Sequence, residues 1–312
     1  MAFQETKFKT VDGTELHGRV YPAAQQGPGL VMCPGFNCIL TMLNFPACAA
    51  ALQRSGITVL LYDPRNTGAS GGQPRNDIDP PQAVADLSDA LTHLLTLPSV
   101  GPAQAGLLGL SFGGTVGLSA AAVDPRCRFV VAVAPLADLD FASPAQRARV
   151  LRRCMQDRAS QVLGNPPFAV PVLNDRGENP VGFGHGIDSE RYARLVSEGR
   201  EIAPGHVNRV TLMTYYKLAM WTPWPLWRCL GWGDGKGGTR GAMFVIPEKD
   251  AMSYPHLQRK HYDELPEDGV SFRKSKMEVA DAGHEDVLGE AHLETIVKGI
   301  TEFVRSLLDD SA

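Results

Sequence analysis

A serine hydroxyl attacks a carbonyl at neutral pH only when a neighbouring base takes its proton. In this chain of 312 residues, Ser111 stands inside Gly109-Leu110-Ser111-Phe112-Gly113, a G-x-S-x-G run. Apolar residues from Ala105 to Leu110 lead into it, and the small residues of Gly113 to Ala122 leave it. Strand, sharp turn and helix form the context in which such a run presents a nucleophile at the tip of the turn. The glycines leave space where β-carbons would crowd the turn. The free N–H groups at the start of the helix favour the negative charge that grows on a carbonyl oxygen under attack. The chemistry expected of Ser111 is acyl transfer.

That chemistry needs a base, a carboxylate to orient it, and donors for the oxyanion. Where serine follows a strand in this way, the acid and then the histidine follow at the ends of later strands. Asp250 lies three residues past an apolar strand ending at Pro247, and His284 lies in Asp281-Ala282-Gly283-His284-Glu285-Asp286. These two are the expected partners. Asp138, after the preceding strand, and Glu248 are the rival acids. His256, His261 and His292 are the rival bases, but each falls inside a helical stretch. Asp281 is expected to shape its loop. The oxyanion donors expected are the backbone N–H of Phe112 and one from Pro34-Gly35-Phe36-Asn37, with Phe36 preferred, Asn37 second, and Pro34 excluded because it has no N–H.

Elements to hold these groups are legible along the chain. Phe3 to Tyr21 alternates around Asp12-Gly13, a hairpin pattern. Leu30 to Cys33, Ile57 to Tyr62, Phe129 to Val133 and Ala242 to Pro247 are short apolar runs, as in the interior of a parallel sheet. Helices are expected over Met42 to Ser55, Gln82 to Leu97, Tyr254 to Glu264 and Leu293 to Leu308, and a last strand over Met277 to Ala280. Between 136 and 240 the alternation stops. That stretch is rich in arginine, proline and glycine, and it reads as a helical cap inserted into a core made of 1–135 and 241–312. All four tryptophans (Trp221, Trp224, Trp227 and Trp232) fall in it. They serve as cap core or as a substrate wall, with Trp221 and Trp224 the candidates for substrate contact.

Composition narrows the class. The net charge of −4 gives no basic surplus for nucleic acid or an anionic membrane. The six cysteines form no C-x-x-C pair and no zinc spacing, so reduced thiols in a cytoplasmic protein are expected, with no metal. The first ten residues lack the apolar core of a signal peptide, and no apolar run is long enough to span a membrane. The loop from Asp63 to Gly72 lacks a phosphate-binding or dinucleotide pattern. Arg65 within it is expected to brace the loop by pairing with Asp63 or a loop carbonyl.

The assembled pattern resembles the α/β-hydrolase superfamily. More narrowly, it is similar to the polyketide-transferase and product-release hydrolases of fungal biosynthetic clusters. The narrower likeness rests on Cys33-Pro34-Gly35-Phe36-Asn37, on Tyr62-Asp63-Pro64-Arg65 through Gly68-Ala69-Ser70, on Pro74 to Pro80, and on Asp124-Pro125-Arg126. Val207-Asn208-Arg209 and Lys249-Asp250 fit it too. The resemblance implies a mostly parallel sheet flanked by helices with a helical cap, and a Ser111–Asp250–His284 triad. It also implies a polyketide-like acyl substrate, as a small molecule or bound to a carrier, and no cofactor. Relatives often carry an aromatic after the histidine, where this chain has Glu285, a carboxylate that would raise the imidazole pKa if it came close. The alternative reading is a cyclase or isomerase of the same fold that leaves Ser111 idle.

Overall fold

The structure is a computed structural model that describes residues 3–184, 190, 193, 197, 199, 201, 203–231, 238–267 and 272–308. Trp232 therefore lies outside the described residues. Among the described residues ten strands are seen: β1 Gln4–Lys9, β2 Glu15–Tyr21, β3 Gly27–Cys33, β4 Thr58–Tyr62, β5 Val100–Leu110, β6 Phe129–Val133, β7 Ala169–Val170, β8 Val210–Thr211, β9 Gly241–Pro247 and β10 Arg273–Val279. Eight of them form one sheet in the order β1-β2-β4-β3-β5-β6-β9-β10. Only the β1–β2 and β2–β4 pairs are antiparallel. The others are parallel, and β4, β6 and β9 are buried along their whole length, as two covered faces require.

Strand side chains alternate between the two faces. Val31, Leu60, Leu107, Val130 and Phe244 pack beneath α2 (Pro80–Leu95) and α3 (Phe112–Val123). Leu30, Leu61, Leu108, Val131 and Met243 pack beneath α1 (Phe45–Arg54). The same face is covered by the closing helix Glu290–Leu308, which buries Ile296, Ile300, Val304 and Leu307. Each such side chain is worth about 1.5–3 kcal/mol for its burial.

Three helix starts differ from the periodicity-based expectation: the closing helix begins at Glu290 rather than Leu293, and two others shift for local reasons. Leu43 and Asn44 have φ of 50° and 60°, which no helix interior allows, so α1 begins at Phe45 rather than Met42. Helix α2 begins earlier than Gln82 because the Asp79 side chain accepts from the Gln82 N–H at 3.3 Å and prolines fill the first helical positions, where no N–H is needed.

Between β6 and β9 lie α4 (Pro144–Val162), the two-residue pair β7–β8, α5 (Leu212–Ala219) and the single turn α6 (Trp224–Trp227). Discrete polar contacts hold this stretch on the sheet. Asp77, ahead of α2, accepts from Thr211 Oγ1 and from Lys217 Nζ, both at 2.5 Å, and Thr214 Oγ1 accepts the Ile78 N–H at 2.9 Å. Asn208 bonds the backbone of Leu173 in both directions. Between β9 and β10 runs α7 (Pro255–Asp263), and the closing helix is α8 (Glu290–Leu308). No helix among the described residues is long and apolar enough to cross a membrane.

Candidate active site

The parallel strands end on one edge, and the turns after β3, β5, β9 and β10 meet there. Ser111 sits between β5 and α3 at φ 58°, ψ −126°, a conformation that L-residues rarely adopt and that surrounding packing must enforce. The packing is backbone on backbone. A β-carbon on Gly109 would stand 2.0 Å from the Gly113 carbonyl oxygen, and one on Gly113 would stand 2.3 Å from that of Cys33. Both glycines are obligatory, and the first turn of α3 is pressed onto the end of β3.

His284 joins Ser111 across the edge. Its Nε2 lies 2.8 Å from Ser111 Oγ and its Nδ1 lies 2.8 Å from Asp250 Oδ2. The ionised carboxylate can only accept, so Nδ1 carries the ring proton and Nε2 accepts from the serine hydroxyl. All three side chains are buried. Asp250 is held on every side: Oδ1 accepts the N–H groups of Met252 and Ser253 at 2.9 and 2.7 Å, and Oδ2 also accepts from Gln258 Nε2 at 3.0 Å. Ser253 Oγ in turn donates to the Pro135 carbonyl at 2.7 Å and accepts the Ala137 N–H at 3.1 Å, tying the acid's turn to the end of β6. Lys249 pairs with Asp281, so the acid and histidine loops are also bridged at the surface.

The rival residues lie elsewhere. Glu248 pairs with Arg259, and the carboxylate on His284 is that of Asp250 rather than Asp138. His261 is fixed by the Ala137 carbonyl at 2.8 Å and stacked on Trp224, and burial lowers its pKa. His256 stacks on Tyr254. Arg65 does brace its loop, but not through Asp63. It forks onto Asp86 and reaches Asp12, while Asp63 accepts the N–H groups of Leu40 and Ala69, each at 2.8 Å.

The 34–37 loop lies against the serine, since a β-carbon on Gly35 would be 3.4 Å from Ser111 Cβ. The backbone N–H groups of Phe36 and Phe112 have no acceptor among the described residues. Their rings meet edge to face at 5.7 Å. The Asn37 side chain is spent on structure: Nδ2 donates to the Val207 carbonyl at 3.0 Å and lies 3.2 Å from His206 Nε2. Behind this loop a cavity of about 50 Å³, touched by Tyr62, Arg65, Asp77 and Asp86, has room for a few waters and no acyl chain.

The tryptophans divide. Trp221 packs edge-on against Phe112 at 5.8 Å, beside the serine. Trp224 is taken up in a nest with Trp227 and His261, and buried Trp227 donates from Nε1 to Ser119 Oγ at 3.1 Å, bracing α3 from behind. Phe183 meets Phe36 at 6.5 Å and also packs on Phe141 and Tyr215. Phe183, Ser253 and Gln258 carry no signal in the sequence, because partners such as Phe36, Pro135 and Asp250 are brought to them by the fold and leave no local pattern. All six cysteines are free. Burial pushes the thiols of Cys33 and Cys38, next to the site, up to about 12, which leaves them protonated and poor nucleophiles at neutral pH.

The sequence pattern of the alpha/beta hydrolase family matches residues 30–298. A thiohydrolase of Eupenicillium brefeldianum is 41% identical over 303 residues, covering 97% of this chain and 94% of that protein. The polyketide transferase af380 of Aspergillus fumigatus is 35% identical over 306 residues, covering 98% and 99%. Among solved structures, DcsB in complex with its substrate analogue superposes with a TM-score of 0.86 at 38% identity, covering 98% of this chain and 99% of that one.

Proposed function

The chain belongs to the alpha/beta hydrolase family, and from that premise we propose that it is a serine-dependent acyl-transfer enzyme acting on an ester or thioester of a polyketide-like metabolite. The observation that carries this is the buried chain of 2.8 Å hydrogen bonds from Ser111 through His284 to Asp250. Ser111 Oγ attacks the carbonyl carbon as His284 Nε2 takes its proton. Asp250 stabilises the imidazolium that results. The N–H groups of Phe36 and Phe112 receive the oxyanion, and their lack of protein acceptors suits that task. Collapse expels the thiol or alcohol, which takes the proton from His284. Water or a hydroxyl of the substrate then releases the acyl group by the reverse steps.

The thioester is supported by the likeness to a protein named thiohydrolase, and the polyketide character by the likeness to a polyketide transferase. In this reading 136–240 is a cap over the site, with Trp221 and Phe183 forming an apolar wall above Phe36 and Phe112. Six free thiols agree with a reducing, cytoplasmic setting. The reaction asks for no cofactor.

A fluorophosphonate probe tests the proposal. It is expected to add one label, at Ser111, and Ser111→Ala is expected to abolish labelling and lower thioester turnover by about 10⁴-fold or more with an unchanged circular dichroism spectrum. Turnover surviving in folded Ser111→Ala would overturn it.

A further inference from the structure

The chain carries an excess of acidic groups, yet α4 runs against it, with five arginines (Arg147, Arg149, Arg152, Arg153 and Arg158) and a single acid, Asp157. Asp157 is buried and turned inward, where it accepts the Phe168 N–H at 2.9 Å and a Gln161 Nε2 proton at 2.8 Å. All five arginines are exposed. Among the described residues none of them has a carboxylate within ion-pairing distance. A solvated helix face ordinarily interleaves opposite charges three and four residues apart. Here Arg149, Arg152 and Arg153, at i, i+3 and i+4, form an exposed stripe that runs from beside the buried Val150 and Cys154 to the far side of the helix. Like charges at that spacing oppose the helix they sit on, so this face is built at a cost that an acidic neighbour would relieve.

Its position ties it to the serine. The first turn of α4 is held by Gln146 Nε2 donating to the Val181 carbonyl at 2.6 Å, two residues before Phe183, whose ring meets Phe36. Arg147 Nη2 donates to the Ala219 carbonyl at 3.0 Å, two residues before Trp221, whose ring meets Phe112. The arginine helix thus begins on the two aromatic contacts that flank Ser111.

We propose that the arginine face of α4 docks an acidic protein domain that delivers the acyl group as a tethered thioester. This rests on the acyl-transfer reading and adds the surface on which a carrier would dock. A free metabolite has no use for a multivalent cationic face beside the apolar wall, whereas a carrier with a carboxylate-rich surface gains steering and register from it. An anionic membrane or a nucleic acid would need basic groups beyond this one helix, and the chain as a whole is acidic.

The test compares two octanoyl thioesters, one on the phosphopantetheine of an acidic bacterial acyl carrier protein and one on free N-acetylcysteamine. The triple variant Arg149→Glu, Arg152→Glu, Arg153→Glu is expected to lose about 10-fold or more in kcat/KM on the carrier substrate and to keep wild-type kcat/KM on the small thioester, which also reports its folding. The triple Arg→Gln variant should fall between. Wild-type turnover of the carrier substrate should drop as salt rises from about 0.1 to about 1 M, and the Glu variant should be flat. Equal losses on both substrates, no loss on either, or wild-type turnover of the small thioester without the carrier one would overturn the docking proposal. So would binding to phosphatidylserine vesicles or to DNA that depends on the same arginines. Wild type inactive on both thioesters would instead sink the acyl-transfer reading beneath it.

Discussion

The sheet edge that holds Ser111, Asp250 and His284 and the stretch between β6 and β9 are built on different principles. At the edge, strands buried on both faces fix where each turn begins, and the side chains at the turns follow from that. Removing one apolar side chain there would be shared among many neighbours. Between β6 and β9, buried Val150, Cys154, Leu212, Tyr215 and Trp227 extend the core of one sheet face, and single side chains add directed bonds: Asp77 reaches Thr211 and Lys217, Asn37 reaches Val207, and Asn208 reaches Leu173. The first region is buried on two faces, whereas the second packs on one and is pinned there by a few directed bonds. Ser111, Asp250 and His284 sit on the first, and Trp221 and Phe183, which face Phe112 and Phe36, are carried by the second.

Substitutions can sharpen or break this contrast. The largest effect is expected at the edge, where Asp250→Asn preserves shape but forces the wrong imidazole tautomer. It should lower kcat by roughly 10²- to 10⁴-fold with KM little changed, measured by steady-state thioester hydrolysis. Next comes Gly113→Ala, whose methyl would overlap the carbonyl oxygens of Cys33 and Pro34. A destabilisation of about 3 kcal/mol or more is expected, read as a fall in urea midpoint. An unchanged midpoint would show that the elbow gives more easily than its backbone contacts imply.

Clips outside the edge should cost less. Asp77→Asn weakens a mostly buried ion pair but keeps a hydrogen-bonding partner for Lys217 and Thr211, so about 1–2 kcal/mol is expected, with kcat lowered less than stability. Burial works against the charge on Lys217, but Asp77 and Asp79 outweigh it and raise the lysine pKa. The contribution of this pair is therefore present below the ordinary lysine pKa and is lost as pH rises through the raised value. Denaturation curves at neutral and strongly alkaline pH would check that sign. The smallest effect belongs to Asn37→Ala, which frees the residue after Phe36 from Val207. A destabilisation of about 0.5–1 kcal/mol with a loss of about 10-fold in kcat is expected, and a stability loss as large as that of Gly113→Ala would merge the two regions that the comparison separates.

The same contrast explains what could be read in advance. Apolar runs such as ITVLLY and FVVAV announce buried strands, and a serine between a strand and a helix announces its turn, so the places of Ser111, Asp250 and His284 were legible in the sequence. Helix starts were less so, because a positive φ at Leu43 and a cap at Asp79 are decided by one residue each. The partner of Arg65 was not legible, since Asp86 and Asp12 look no different in sequence from Asp63. Nor was the division of the tryptophans: Trp221 and Trp224 are three residues apart, yet one turns to Phe112 and the other to His261.

The strand order also bears on when a ribosome could release anything able to react. β3 and β5 are neighbours at the middle of the sheet, but the turn bearing His284 rides on β10, the outermost strand, whose only partner is β9. A nascent chain can present its serine long before it has made its imidazole. On the proposed mechanism, a chain that has emerged only as far as β9 holds Ser111 without the imidazole 2.8 Å from its hydroxyl and stays chemically silent.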